Sequence, residues 1–184
     1  MKFLFTTLAT SFLLFACCDK DIKTTDKKLI LKNNSLSTSE DSEEIVTYYN
    51  NETGTLICQG KEINYKGNGI WKYYYPDGGL QSIGIFIDDK RNEIWKFYHE
   101  NGKLKEVGSY IEHKKNGRWK HYYKNGKLKK VGGYKDGKQN GIWKSYYENG
   151  KLQSECLYKY DIENGVWKYY YENGKLGVEG KHVN

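Results

Sequence analysis

Five tryptophans stand 24 residues apart, at Trp71, Trp95, Trp119, Trp143 and Trp167. This spacing constrains the fold more than any other feature, because the flanking positions repeat with it. One residue after each Trp stands a lysine: Lys72, Lys96, Lys120, Lys144 and Lys168. Three after stands a tyrosine: Tyr74, Tyr98, Tyr122, Tyr146 and Tyr170. Seven after stands Gly78, Gly102, Gly126, Gly150 or Gly174, and nine after Leu80, Leu104, Leu128, Leu152 or Leu176. A worn copy precedes them in the same register, with Thr47 in the Trp slot, then Gly54, Leu56 and Gly60. Such a chain uses one structural unit about six times, with the worn copy near Glu44 as a cap.

Residues 116–139 show what the unit is. The segment 118–123 is aromatic and strand-like. Asn125-Gly126 is a strong hairpin signal, since a two-residue type I′ turn needs positive φ at both positions. A second strand follows over 127–134, and Lys135-Asp136-Gly137 starts the turn into the next unit. No stretch outside the N-terminal leader has helical periodicity. The predicted fold is all-β: an elongated single-layer antiparallel β-meander of about six 24-residue hairpins, with about eleven or twelve short strands. Composition agrees. With 18 Tyr, 20 Gly and 16% aromatic residues at a mean hydropathy of -0.87, the chain lacks an aliphatic core yet is too aromatic for a disordered one.

Strand alternation then assigns faces. A turn at Asn125-Gly126 sets Tyr123 opposite Leu128, His121 opposite Lys130 and Trp119 opposite Gly132. The same rule pairs Trp71 with Gly84, Trp95 with Gly108, Trp167 with Gly180, and Trp143 with Cys156. An indole lying across the bare backbone of its own hairpin's glycine would cover that gap in the sheet. The packed face is therefore expected to carry the five Trp and the Leu80, Leu104, Leu128, Leu152 and Leu176 row. The opposite face carries the lysine stripe, the Tyr74 to Tyr170 stripe, and Ile70, Ile94, Ile142 and Val166. Those lysines and tyrosines are the candidate binding face.

The chain starts with Met1-Lys2 and an apolar run over 3–16, which is signal-peptide length and short for a bilayer span of about 20 residues. Leu14-Phe15-Ala16-Cys17 resembles a bacterial lipobox, with Phe15 departing from the usual small residue. By that resemblance 1–16 is a signal peptide and Cys17 a lipidated mature N-terminus; the bland alternative is a secreted protein with an unmodified Cys17. Residues 17–43 read as a flexible tether and 44–184 as the repeat array.

The repeating unit, NGxWKxYYxNGKLxxxGxYxxGK, resembles the MORN-repeat variant of bacterial proteins, often labelled the YwqK-like antitoxin family. The likeness spans roughly Thr47 to Val183 and rests on the WKxYY core, the NG turn, the KL after it and the G-x-Y of the second strand. It implies an elongated, twisted antiparallel sheet serving as a binding or scaffolding module. An exported lipoprotein fits poorly with a cytoplasmic antitoxin role.

No chemistry-bearing motif interrupts the repeat. His99, His121 and His182 occupy slots where other units place Tyr or Ser, and no His, Cys or Asp grouping has metal-ligand spacing. No phosphate loop, nucleophile elbow or paired-acid motif is present, so neither enzyme activity nor a cofactor is expected. Cys58 and Cys156 lie four units apart, about eight strands or roughly 38 Å, beyond the ~7 Å reach of a disulfide. The net charge of +7 sits on the array: 22 Lys and Arg against 14 Asp and Glu from Asn68 onward, while 19–46 carries 5 against 7. A basic aromatic surface on an exported chain argues for no nucleic acid as partner. The leading expectation is a lipid-anchored module at a bacterial cell envelope that binds a protein partner, with self-association through an open sheet edge or the Trp face as a variant. The alternative is binding to cell-wall glycan or anionic lipid.

Overall fold

The computed structural model describes residues 27–31 and 43–182. The expected signal peptide and Cys17 lie outside the described residues. The elements are β1 (Lys27–Leu31), β2 (Glu43–Tyr49), β3 (Leu56–Ile63), β4 (Lys66–Tyr74), β5 (Leu80–Ile87), β6 (Lys90–Tyr98), β7 (Leu104–Ile111), β8 (Lys114–Tyr122), β9 (Leu128–Lys135), β10 (Lys138–Tyr146), β11 (Leu152–Lys159), β12 (Ile162–Tyr170) and β13 (Leu176–His182). They form one 13-stranded antiparallel sheet in chain order. The all-β meander expected from the repeat is the observed fold. The extra strand is β1, which takes five residues of the segment read as a tether and pairs with the edge of β2, Leu29 opposite Thr47.

The sheet has two kinds of turn, and their assignment corrects the sequence reading. At the NG turn, Tyr123 N–H donates to Lys127 O (2.9 Å) and Gly126 N–H to Tyr123 O (2.8 Å). Gly126 has φ +92°, whereas Asn125 is not in the positive-φ region. This is a three-residue loop closed by a left-handed glycine, not a two-residue type I′ turn. Asn125 Oδ1 accepts the Lys127 N–H at 2.8 Å and holds the turn without positive φ at Asn. Consecutive positive φ values occur instead between the units, at Asn64-Tyr65, Asp88-Asp89, Glu112-His113, Asp136-Gly137 and Tyr160-Asp161.

The longer loop introduces a bulge. Trp119 still meets Gly132 and His121 meets Lys130, but Tyr122, not Tyr123, meets Leu128. Likewise Tyr74, Tyr98, Tyr146 and Tyr170 face Leu80, Leu104, Leu152 and Leu176. The Leu row is therefore not part of the Trp core as expected: it stands opposite the Tyr stripe, and none of its members is fully buried. A related slip affects the cap. The loop after β2 is one residue longer, with Asn50 N–H bonded to Thr55 O where the next unit bonds Tyr75 to Gly79. Val46, fully buried, thus fills the Trp slot opposite Gly60, and Thr47 meets Gln59.

The core lies on one face and runs across the units. Trp71, Trp95 and Trp119 are 0% exposed and Trp143 is 2% exposed. Each indole lies over the glycine of the preceding unit, not that of its own hairpin. A Cβ built on Gly60, Gly84, Gly108 or Gly132 would stand 2.1–2.2 Å from Trp71, Trp95, Trp119 or Trp143, respectively. The indole Nε1–H then donates to the next carbonyl on that strand: Trp71 to Lys61, Trp95 to Ile85, Trp119 to Ser109 and Trp143 to Gly133, at 3.0–3.1 Å. Phe86, Tyr110 and Tyr134 stand edge-on between successive indoles, 5.0–5.1 Å from Trp95, Trp119 and Trp143. A single-layer sheet buries its indoles this way with no second sheet over them. Trp167 is the exception: it is half-buried and lies over Gly180 of its own hairpin.

Candidate interaction surface

The face opposite the indoles carries the residues singled out from the sequence. Alternation turns Ile70, Ile94, Ile142 and Val166 outward, and each is more than half exposed, between 51% and 59%. Arg118 takes the same slot in the remaining unit, and Ile87 and Ile111 are also exposed near the strand ends. Cross-strand partners widen the apolar row: Ile70 faces Ile85 and Ile142 faces Leu157.

The lysine stripe divides into two halves. Lys144 bonds Glu155 at 2.7 Å, a contact that raises its pKa, and Lys168 lies 3.6 Å from Glu179. Lys72, Lys96 and Lys120 instead face Ile83, Val107 and Val131, so no acid stands across from them. The uncompensated charge therefore sits beside the exposed Ile70 of β4 and Ile94 of β6, and beside Arg118 of β8.

The tyrosine stripe is less available. Tyr74, Tyr98, Tyr122, Tyr146 and Tyr170 are all half-buried, each against its leucine. Tyr74 Oη accepts a bond from Gln59 Nε2 at 3.0 Å, and burial raises its pKa. These rings serve the sheet as much as they present a surface.

Sequence reasoning missed the residues that tie the units together along the rims. In the slot four after Trp, Tyr75, Tyr123 and Tyr147 donate their hydroxyls to the carbonyls of Tyr98, Tyr146 and Tyr170 at 2.6–2.7 Å. His99 bonds Tyr122 O through Nε2 at 3.0 Å, confirming that it stands in a Tyr slot. The turn residues do the same: Asn101 Nδ2 donates to Lys124 O, and Lys103 Nζ to Asn125 O. The signal was present in the periodicity of the second tyrosine and of NGK, which was read only as turn chemistry.

On the indole face the titratable groups pair locally. Glu106 receives His121 Nδ1 at 3.2 Å and Lys115 Nζ at 3.1 Å. Burial works against the carboxylate's charge, but the His121 hydrogen bond and the Lys115 charge more than offset it and hold its pKa down at about 2. Lys115 also lies 3.9 Å from the Trp119 ring centre. Among the described residues no group of three or more His, Cys, Asp or Glu is arranged to hold a metal ion, and no helix is long and apolar enough to cross a membrane. Cys58 and Cys156 are free, buried thiols on β3 and β11.

The repeat geometry has a counterpart in sequence. The family described as MORN repeat variant matches residues 67–88, 94–112, 115–136, 139–160 and 163–184. The chain belongs to the MORN repeat variant family. Each matched segment starts within a W-bearing strand and runs through the hairpin turn into the strand that follows. The MORN array is thus five matched units plus the cap around Val46. No curated protein matches the chain. Among solved structures, TarM is similar over 74% of this chain and 20% of its own length, at 14% identity and a TM-score of 0.31. A variant of S. aureus TarM in complex with fondaparinux, α-GlcNAc-glycerol and UDP gives 14% identity and a TM-score of 0.32, over 74% of this chain and 21% of that one. The chain spans about a fifth of TarM's length, and at these scores nothing is carried over from it.

Proposed function

We propose that this MORN array is a non-enzymatic binding module, anchored through a lipidated Cys17 at a bacterial cell envelope, whose outer face docks a protein partner. One observation carries the reading: Ile70 and Ile94 stand exposed beside Lys72, Lys96 and Lys120, which face aliphatic residues instead of acids. An apolar row flanked by unpaired cations suits a partner with an apolar ridge edged by carboxylates. Stacking on glycan is disfavoured on the other face, because four of the five indoles are already covered by their own chain. An antitoxin role has no support in any feature of this surface, and the export signal argues against it.

The test is site-specific photocrosslinking from a probe at position 96 in the native envelope, with and without the substitutions Ile70→Ser and Ile94→Ser in the probe-bearing chain. A discrete protein adduct that the double variant loses, while its circular dichroism is unchanged, supports the reading. Retention on purified peptidoglycan, or on vesicles containing anionic lipid, with no protein adduct would replace it with the glycan or lipid alternative. Globomycin-sensitive processing, or its absence after Cys17→Ser, tests the anchor separately.

A further inference from the structure

The last unit breaks the rule that the others obey. In the interior, each Trp seats on the preceding unit's glycine and bonds the following carbonyl. For Trp167 that seat is Cys156 and the carbonyl would be that of Leu157. The interior pose is closed to it by volume: at the equivalent glycines an added Cβ would lie 2.1–2.2 Å from the indole, well inside van der Waals contact. Cys156 has that Cβ and a sulfur beyond it.

The strand pairing records the consequence. Elsewhere the glycine is skipped by a bulge just before the Trp, as where Ile83 pairs with Lys96 and Ile85 with Asn92. At the last junction Cys156 pairs directly with Trp167, and the bulge moves beyond it, between Cys156 and Tyr158. Trp167 turns to the opposite strand and lies on Gly180, where an added Cβ would meet its Cζ2 at 2.4 Å.

Gly180 is the glycine that a further unit's Trp would cover. β13 is the C-terminal edge of the sheet, and its far side is where the next W-bearing strand of an array would join. At the other end Val46, not an indole, fills the Trp slot.

We propose that Cys156 sets the seat of Trp167: by denying it the preceding unit, it directs the indole onto Gly180 and leaves that glycine unavailable to a further Trp-bearing strand of this chain's own kind. The thiol acts through its bulk, not through its chemistry. Only strands that bring an indole to Gly180 are concerned, so an unrelated docking partner on the outer face is unaffected.

The experiment is a double-mutant cycle in the full chain, read by amide and indole hydrogen exchange. Cys156→Gly is expected to move Trp167 into the interior pose, and its indole N–H protection rises at least about tenfold as it bonds Leu157 O. Cys156→Ala keeps the Cβ and leaves Trp167 exchange as in the natural chain. Gly180→Ala lowers β13 amide protection at least about tenfold in the natural chain, because the new methyl collides with Trp167, and by less than about threefold in the Cys156→Gly background. Equal effects of Gly180→Ala in both backgrounds, or a Trp167 indole unmoved by Cys156→Gly, would overturn the proposal. Only the last two hairpins are perturbed, so the units before them serve as an internal control for folding.

Discussion

A glycine and a tryptophan in consecutive units form the smallest working part of this protein. Trp119 covers Gly108, bonds Ser109 O, and stands between Tyr110 and Tyr134. Trp119→Ala is expected to destabilise the array by about 3–5 kcal/mol, measured by denaturant unfolding. Gly108→Ala adds a single methyl in the indole's place and should cost about 1–3 kcal/mol through overpacking. Glu106 adds a pH dependence. Its pKa falls from 4.5 unfolded to about 2 folded, so its contribution is complete above about pH 4.5 and is lost as pH falls toward 2. That contribution is on the order of 1–3 kcal/mol. Glu106→Gln should therefore unfold more easily at neutral pH and show a flatter stability profile between pH 4.5 and 2; parallel profiles for the two proteins would contradict the assignment.

One scale up, the hairpin is defined by its two turns. The NG turn sets a bulge that swings leucine onto the tyrosine side, and the inter-unit turn holds two consecutive positive-φ residues. Side chains at both rims reach the next unit, so a hairpin is held by its neighbours as well as by its own ladder. Tyr123→Phe removes the 2.6 Å bond to Tyr146 O and is expected to cost about 1 kcal/mol. Gly126→Ala forces a methylated residue to φ +92° and should cost about 1–2 kcal/mol, although the nearest atom to its Cβ is Lys103 Cδ at a comfortable 3.6 Å. Local loosening of the loop 123–127, seen by hydrogen exchange, would identify the strain as conformational.

The whole molecule is a chain of nearest-neighbour contacts with distinct ends. Deleting residues 100–123 removes one period and rejoins identical slots, so the remaining chain should fold with the same register and melt a few degrees lower. Loss of cooperative melting in that deletion would show a long-range dependence that the sheet does not contain. On this scale the outer surface is asymmetric: acids neutralise Lys144 and Lys168, while Lys72, Lys96 and Lys120 have no acid opposite.

The sequence by itself determined the period, the all-β meander, the alternation of faces and the pairing of each Trp with a small residue across its hairpin. All of these follow from local chemistry repeated at fixed spacing: turn-forming dipeptides, aromatic strands and the two-residue period of the pleat. Which neighbour each indole covers was decided only in three dimensions. Trp71, Trp95 and Trp119 have a glycine on both flanking strands, and each covers the earlier one; Trp143 and Trp167 have Cys156 on one side and cover the glycine on the other. The leucines moved to the other face because a three-residue loop replaced a two-residue one, a difference of one backbone conformation at Asn125. The tertiary structure also decided where Trp167 seats, since Cys156 stands against it only once their strands are paired.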